Sequence, residues 1–306
     1  MPNYHLCFTS HKEVLFRNEA DMHVGFNSLC SAIYKTDSTC FAYADMSDHH
    51  HGCYRTKVPG ELMRTYRESY TKLFNRKYFR KGELGERGFY LQEITGLKHF
   101  ITAVAYVLKN PPHHGVTSTP FEYPFSSANA YFRKELGKDT VPDRLLSYPQ
   151  IKKVLPRRAE FNPEWKMGID GVFLPESVLD VSTVETSFGT AQAFNYYLGR
   201  KSGNDWVKEQ EEEGTEPFTL ENIEAPLMTG PFPVSIEEML RNERSRFRTV
   251  AMTDLELCKI IDTRSLLPYR KQSVYLLTEK EKNEIANSIY RQFHIGTLQI
   301  KRCIAM

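Results

Sequence analysis

The segment from Phe100 to Gly115 places a tyrosine and an asparagine at a spacing that suits chemistry. Its apolar residues recur every three or four positions, which predicts a short amphipathic helix. Pro111 disfavours the helical conformation of the residue before it, so the helix is expected to end at Asn110. Tyr106 and Asn110 would then lie on one face, one turn apart. A phenol and a carboxamide would point the same way, although a tyrosine at a helix end is more often a packing residue than a nucleophile.

Three consecutive histidines form a second cluster, inside a segment that alternates like a strand. Alternate side chains of a strand share a face, so His49 and His51 would point together and His50 the other way. Two imidazoles on one face make half of a metal site. An exposed polar hairpin is the alternative, because a metal site also needs a third ligand.

The elements that must position these residues follow from the residue patterns in chain order. Strands are predicted at 4–10, 39–46, 49–56 and 89–94, and helices at 19–34, 60–78 and 100–110. The resulting order is β-α-β-β-α-β-α. This order indicates an α+β fold, ferredoxin-like in outline, with an antiparallel sheet and helices on one face of it.

The joint pattern resembles the HUH single-tyrosine transposases, and most closely the REP-associated tyrosine transposases. The matching residues are His49, His51, Tyr106, Asn110, Pro111 and Gly115. Residues 121–127 are also similar to the aromatic-Pro-aromatic-Ser-Ser stretch that follows the family's catalytic helix, and the resemblance covers roughly residues 4–132. His50 is a departure, because this family usually has a bulky apolar residue at that position.

What the resemblance implies is a transposase-like strand transferase that cleaves and rejoins single-stranded DNA next to hairpins. Tyr106 would attack the scissile phosphate and form a 5′-phosphotyrosine intermediate. His49, His51 and Asn110 would hold one Mg²⁺ or Mn²⁺ ion that also binds phosphate oxygens. Because the covalent link keeps the bond energy, a 3′-hydroxyl could reverse the step without ATP.

Basic residues gather in short stretches of a chain whose net charge is only +2. Such stripes suit binding to a phosphate backbone at selected faces, and solvated helix faces are the alternative. The expected DNA contacts are Arg64, Arg67, Lys72, Arg76, Lys77, His113, His114, Lys301 and Arg302. His113 and His114 could also be a rival ligand pair. Tyr66 and Tyr70, one turn apart, are rival tyrosines that we interpret as core or DNA-contact residues.

The chain is expected to have three regions: a HUH-type catalytic domain at 1–135, an extension of unclear role at 136–250, and a mainly helical region at 251–306. In the last region Thr278 and Glu281 form a capping-box pattern. A glycine turn and a second basic helix follow, which predicts a helix-turn-helix or, equally, a plain helical hairpin.

The remaining composition sets limits on cofactors, compartment and partners. The six cysteines are scattered and are expected to be reduced thiols rather than disulfides or zinc ligands. No apolar run of membrane-spanning length and no secretory signal is visible, so we expect a cytoplasmic protein without a membrane partner. The expected partner is single-stranded or hairpin DNA, bound by a monomer or a homodimer.

Two further functions remain open at this stage. The chain could be a non-catalytic, domesticated relative that holds hairpin DNA without cutting it. It could also be a metal-dependent hydrolase of another phosphoester. Only the strand transferase requires Tyr106 as the nucleophile, and a hydrolase would stay active in Tyr106→Phe.

Overall fold

The structure is a computed structural model, and it describes residues 1–138, 144–199 and 252–306. Much of the expected 136–250 extension, namely 139–143 and 200–250, lies outside the described residues. Residue 251, the first of the expected helical region, also lies outside them.

A four-stranded antiparallel sheet forms the centre of an α+β fold. Its strands are β1 (Asn3–Thr9), β2 (Thr39–Asp45), β3 (His49–Arg55) and β4 (Tyr90–Ile94). They lie side by side in the order β2-β3-β1-β4. β3 and β1 are therefore the two inner strands, and Cys7 lies opposite His51 in their register. The α+β class predicted from the sequence is confirmed.

Helices cover both faces of this sheet. They are α1 (Glu19–Lys35), α2 (Pro59–Tyr78) and α3 (Leu97–His113). α1 and α2 pack together on one face, where the His50 ring meets Tyr66 of α2. α3 packs on the opposite face against β2 and β3. The prediction of helices on one face is therefore wrong. All of β3 except Arg55 is buried, so both faces of the inner strand need a covering layer.

α3 continues through Pro111 and Pro112 to His113, so the predicted end at Asn110 is wrong. The two prolines remove backbone donors only from the last turns, where the loss is small. The backbone N–H of His114 still donates to the carbonyl of Asn110 at 3.0 Å. Asn110 itself is buried against the sheet, and this packing outweighs the local preference of a residue before proline.

Residues 144–199 add a layer of short helices to the same molecule. These are α4 (Tyr148–Val154), α5 (Pro175–Val178), α6 (Val181–Phe188) and α7 (Ala191–Gly199). Phe161, Phe173 and Phe194 belong to the same buried apolar cluster as the sheet. This part of the expected extension therefore shares the core of the first region.

The C-terminal helices surround a second apolar cluster, which also takes in Val14. They are α8 (Asp254–Ile260), α9 (Glu279–Phe293) and α10 (Thr297–Ile304). The capping box of Thr278 and Glu281 is present at the start of α9. Ile285 and Ile289 point inward as expected, but Tyr290 is 51% exposed. No helix in the described ranges is long and apolar enough to span a bilayer.

A candidate active site between β3 and α3

The structure brings together four side chains whose positions in the sequence are up to 61 residues apart. His49 and His51 lie on the face of β3 that α3 covers. Nε2 of His49 is 2.9 Å from Oδ1 of Asn110. The Tyr106 ring meets the His51 ring edge to face, with centroids 5.5 Å apart. The strand alternation and the helix spacing seen in the sequence together explain why these four meet.

His5 also belongs to this cluster, although the sequence analysis did not single it out. Nε2 of His5 is 3.0 Å from Nδ1 of His51, and their rings are stacked. On the other side of the same ring, Sγ of Cys7 is 3.7 Å from Nε2 of His51. Both nitrogens of His51 therefore have partners on β1. Alternation along β1 could have placed His5 and Cys7 on one face, but the register that sets them beside His51 is not visible in the sequence.

Two histidines of this cluster, His5 and His51, are held in their neutral form. Burial lowers the pKa of His5 to about 3, assisted by repulsion from His50 and His99. Burial, and then repulsion from His49 and other neighbouring imidazoles, lowers the pKa of His51 well below its usual value. Neutral imidazole is the form that can bind a metal ion, because a nitrogen lone pair must be available.

Asp48 fixes the orientation of His49. Its Oδ1 lies 2.8 Å from Nδ1 of His49, and its Oδ2 lies 3.0 Å from the guanidinium of Arg302. Burial alone would raise the pKa of the Asp48 carboxyl, but Arg302 and His49 outweigh it and hold that pKa below its usual value. An ionised carboxylate that accepts from Nδ1–H leaves the lone pair of Nε2 facing Asn110. This carboxylate–histidine arrangement is typical of metal-binding histidines.

The donor atoms of His49 and Asn110 fit a divalent ion. The distance of 2.9 Å between Nε2 and Oδ1 is close to the roughly 3 Å between neighbouring ligands of an octahedral ion with bonds of about 2.1 Å. Nδ2 of Asn110 is buried and has no hydrogen-bond partner among the described residues. Within those residues, no three His, Cys, Asp or Glu side chains are arranged to hold a metal ion. A metal site here would therefore depend on the amide oxygen of Asn110.

The middle histidine has a different environment on the opposite face of the sheet. Nδ1 of His50 is 2.6 Å from Asp45, and Nε2 is 2.7 Å from the hydroxyl of Tyr54. Tyr66 and Tyr70 are buried on that same side. All of these groups are separated from Tyr106 by the sheet. His50 is therefore part of a buried polar network, and the two rival tyrosines are core residues.

The basic residues predicted to contact DNA fall into two groups. The exposed group is Arg64, Lys72, Arg76, Lys77 and Lys301. Within this group, Lys77 pairs with Asp21 at 2.6 Å. Arg67 donates to backbone carbonyls between 84 and 88, and its guanidinium lies over the Phe8 ring. Burial lowers the pKa of Arg67. Because α2 lies on the face away from Tyr106, its basic stripe does not converge with the site.

The other expected contacts lie at the edge of the candidate site. Arg302 of α10 is held by Asp48 and Asp254, so it joins the C-terminal helices to the turn before β3. His113 and His114 follow Asn110 at the end of α3. The ring of His114 lies 4.8 Å from the ring of His49, between centroids. The sequence does not show which of these two histidines lies beside His49.

Comparison with known proteins gives a structural likeness but no sequence match. No family model matches the sequence, and no curated protein matches it. A solved structure described as "Structure of the REP associates tyrosine transposase bound to a REP hairpin" is similar, with a TM-score of 0.37 and 13% sequence identity. The matched part covers 46% of this chain and 82% of that one. A likeness of this size does not by itself establish a common fold or a common function.

Proposed function

We propose that this chain is a metal-dependent strand transferase that cleaves and rejoins single-stranded DNA next to hairpins. The observation that carries the proposal is the meeting of His49, His51, Tyr106 and Asn110 in one cluster, with Nε2 of His49 2.9 Å from Oδ1 of Asn110. A phenol beside a pair of donor atoms that suit a metal ion is a combination that can support phosphoryl transfer to tyrosine.

Each residue then has a defined task. Tyr106 is the nucleophile: a bond forms between its hydroxyl oxygen and phosphorus while the bond from phosphorus to the 3′-oxygen breaks. The phenolic proton passes to solvent and the departing 3′-oxygen takes one up to become a free hydroxyl, so the step neither consumes nor releases a proton overall. His49 and Asn110 would hold Mg²⁺ or Mn²⁺, which would polarise the scissile phosphate and align it. Asp48 keeps Nε2 of His49 directed at the site.

His51 is the second metal ligand that the sequence led us to expect. Its two nitrogens are engaged by His5 and Cys7, so in this arrangement it supports the wall against which Tyr106 packs. A role as ligand would require His51 to give up one of these partners.

DNA would be held at more than one surface. The exposed basic side chains of α2 offer a phosphate-binding stripe on the face of the sheet away from Tyr106; they are Arg64, Lys72 and Arg76. Helices α9 and α10, joined by a turn and carrying exposed Lys301, offer a helix-turn-helix surface for a duplex or hairpin. For the sheet itself we propose a ferredoxin-like arrangement, supported by the strand order β2-β3-β1-β4.

The burial of Tyr106 favours a second candidate function. Tyr106 is only 4% exposed and is packed against His5 and His51. A strand transferase must therefore open the contact between α3 and the sheet before DNA reaches the hydroxyl. A non-catalytic protein that holds hairpin DNA at its basic surfaces would need no such opening.

A denaturing gel separates these functions. The protein is incubated with Mn²⁺ and labelled single-stranded DNA carrying a hairpin from the flanks of its own gene. Strand transfer predicts a protein–DNA band that survives denaturation and disappears with a chelator and in Tyr106→Phe. Tyr34→Phe, the same change at an exposed helical tyrosine, should leave the band intact.

The other two functions give different patterns in the same experiment. Binding without any covalent band, on several flanking hairpins, would support the hairpin-binding protein. Metal-dependent cutting that persists in Tyr106→Phe and forms no band would identify a hydrolase.

A further inference from the structure

His114 is the one histidine of the candidate site whose Nε2 is both buried and without a hydrogen-bond partner among the described residues. It lies four residues after Asn110, and its backbone N–H donates to the carbonyl of Asn110 at 3.0 Å. Its ring lies 4.8 Å from that of His49, between centroids. A buried nitrogen of this kind calls for a hydrogen-bond partner or a metal ion, because an unpaired polar atom in the interior is costly.

We infer that His114, and not His51, is the third protein ligand of a metal ion held by His49 and Asn110. This inference rests on the proposed metal site and assigns its ligands. Three observations carry it. Nε2 of His49 and Oδ1 of Asn110 are already at the spacing of neighbouring ligands. Nε2 of His114 is buried without a hydrogen-bond partner among the described residues, and the His114 ring lies 4.8 Å from the His49 ring, between centroids. Both nitrogens of His51 are taken by His5 and Cys7.

The continuation of α3 past its prolines is what makes this site. A helix that ended at Asn110 would release the following residues into a loop. Instead, Pro111 and Pro112 remain helical, and His114 is the residue that caps α3. Side chains four residues apart on a helix lie on one face, the spacing at which two helical histidines bind one zinc ion in the H-E-x-x-H motif. Asn110 and His114 have this spacing.

The ligand set also indicates which metal ions are preferred. Two imidazole nitrogens and one amide oxygen are softer donors than the carboxylates and phosphates that Mg²⁺ favours. Mn²⁺ accepts both nitrogen and oxygen ligands. With three protein ligands, an octahedral ion keeps positions open for phosphate oxygens. We therefore expect the site to take Mn²⁺ in preference to Mg²⁺.

Pulsed electron paramagnetic resonance of Mn²⁺ bound to the full chain tests the assignment, since it counts the imidazole nitrogens coupled to the ion. The wild type should show two coupled imidazoles. His114→Ala should lose one of them, and His51→Ala should keep both. His113→Ala is the matched control, because it removes the adjacent histidine of the same segment and should also keep both.

If His114→Ala does not fold, His51→Ala still tests the assignment, because loss of one coupled imidazole in that variant would overturn it. A further variant tests the amide ligand that the assignment also needs. Asn110→Asp replaces the amide oxygen with a carboxylate oxygen of the same reach, so Mn²⁺ should bind more tightly, by about tenfold or more. If the amide instead donates from Nδ2 to His49, the substitution gives no gain in Mn²⁺ affinity. That result would overturn the part of the assignment that makes Asn110 a ligand.

The outcomes distinguish this inference from the proposed function. Two imidazoles in His114→Ala together with one in His51→Ala would overturn the inference and leave a metal-dependent strand transferase intact. Failure of the wild type to bind Mn²⁺ at all would overturn both the inference and the metal-dependent part of the proposed function. The gel assay for the covalent band remains an independent test of Tyr106.

Discussion

Arg302→Met should destabilise the fold, rather than only weaken DNA binding. The guanidinium of Arg302 lies 3.0 Å from Asp48 and 2.9 Å from Asp254, and it joins α10 to the turn before β3. Methionine keeps most of the side-chain volume but removes the charge. Two carboxylates in the interface would then lose their cation.

The size of the effect follows from the burial of the three groups. Removing one partner of a fully buried ion pair costs about 3–5 kcal/mol. The side chain of Asp254 is 5% exposed, whereas those of Asp48 and Arg302 are 22% and 20% exposed. Solvent therefore screens part of the interaction, and we expect a loss of about 2–3 kcal/mol in the free energy of unfolding.

Urea unfolding at pH 7, followed by circular dichroism, measures this loss. Lys301→Met is the matched control, because it makes the same change at the exposed preceding residue of α10 and should alter stability by less than about 0.5 kcal/mol. Equal stability of the two variants would refute the structural role of Arg302 and favour the prediction from the sequence that it contacts DNA.

The pH dependence of this effect has a defined sign. The pKa of Asp48 is lower in the folded protein than its usual value of 3.8. A carboxylate of this kind stabilises the fold fully above its unfolded pKa, and the contribution is lost as the pH falls through the folded pKa. The stability difference between wild type and Arg302→Met should thus be constant from pH 7 to about 5 and shrink below about pH 4.

Three other outcomes are expected. The pKa values of His5 and His51 are lowered in the fold. The free energy of unfolding should therefore fall below pH 6.5 by about 1.4 kcal/mol per pH unit for each of these histidines. Urea midpoints from pH 7 to 5 test this, and an unaltered dependence of stability on pH in His5→Asn would contradict it. Gly52→Ala would place a methyl carbon 2.3 Å from the hydroxyl of Tyr54 and should cost about 1–3 kcal/mol in the same assay; unchanged stability would show that Tyr54 moves freely. Arg67→Ala should lower the melting temperature and leave the affinity for single-stranded DNA almost unchanged. A loss of affinity with an unchanged melting temperature would identify Arg67 as a DNA contact.

The local elements were predictable because each depends on residues close in sequence. Alternation in 49–55 is enough to separate His49 and His51 from His50, and the spacing of Tyr106 and Asn110 is enough to put them on one helix face. The capping residues Thr278 and Glu281 likewise mark the start of α9.

Features that depend on tertiary contacts could not be predicted. Whether helices cover one face of the sheet or both depends on which residues of β3 are buried, and histidines are neither clearly apolar nor clearly exposed. The rule that a helix stops before proline fails at Asn110, because burial against the sheet outweighs a local preference.

The roles of the basic residues also depend on tertiary contacts that a sequence does not show. A sequence displays the positive charge of Arg67, Lys77 and Arg302, but not the carbonyls and carboxylates that already bind them. His5 was missed for a related reason, since its proximity to His51 follows from the register of β1 against β3. That register is set by pairing across the sheet.

The most direct test of the central claim is to find which residue carries DNA after the reaction. The protein is incubated with hairpin-bearing single-stranded DNA and Mn²⁺, digested with nuclease and protease, and its peptides are analysed by mass spectrometry. The proposed mechanism predicts a nucleotide linked through its 5′-phosphate to the peptide that contains Tyr106, and to no other tyrosine peptide. A remnant on a peptide containing Tyr66 or Tyr70, or free cleaved DNA with no modified peptide, would contradict it.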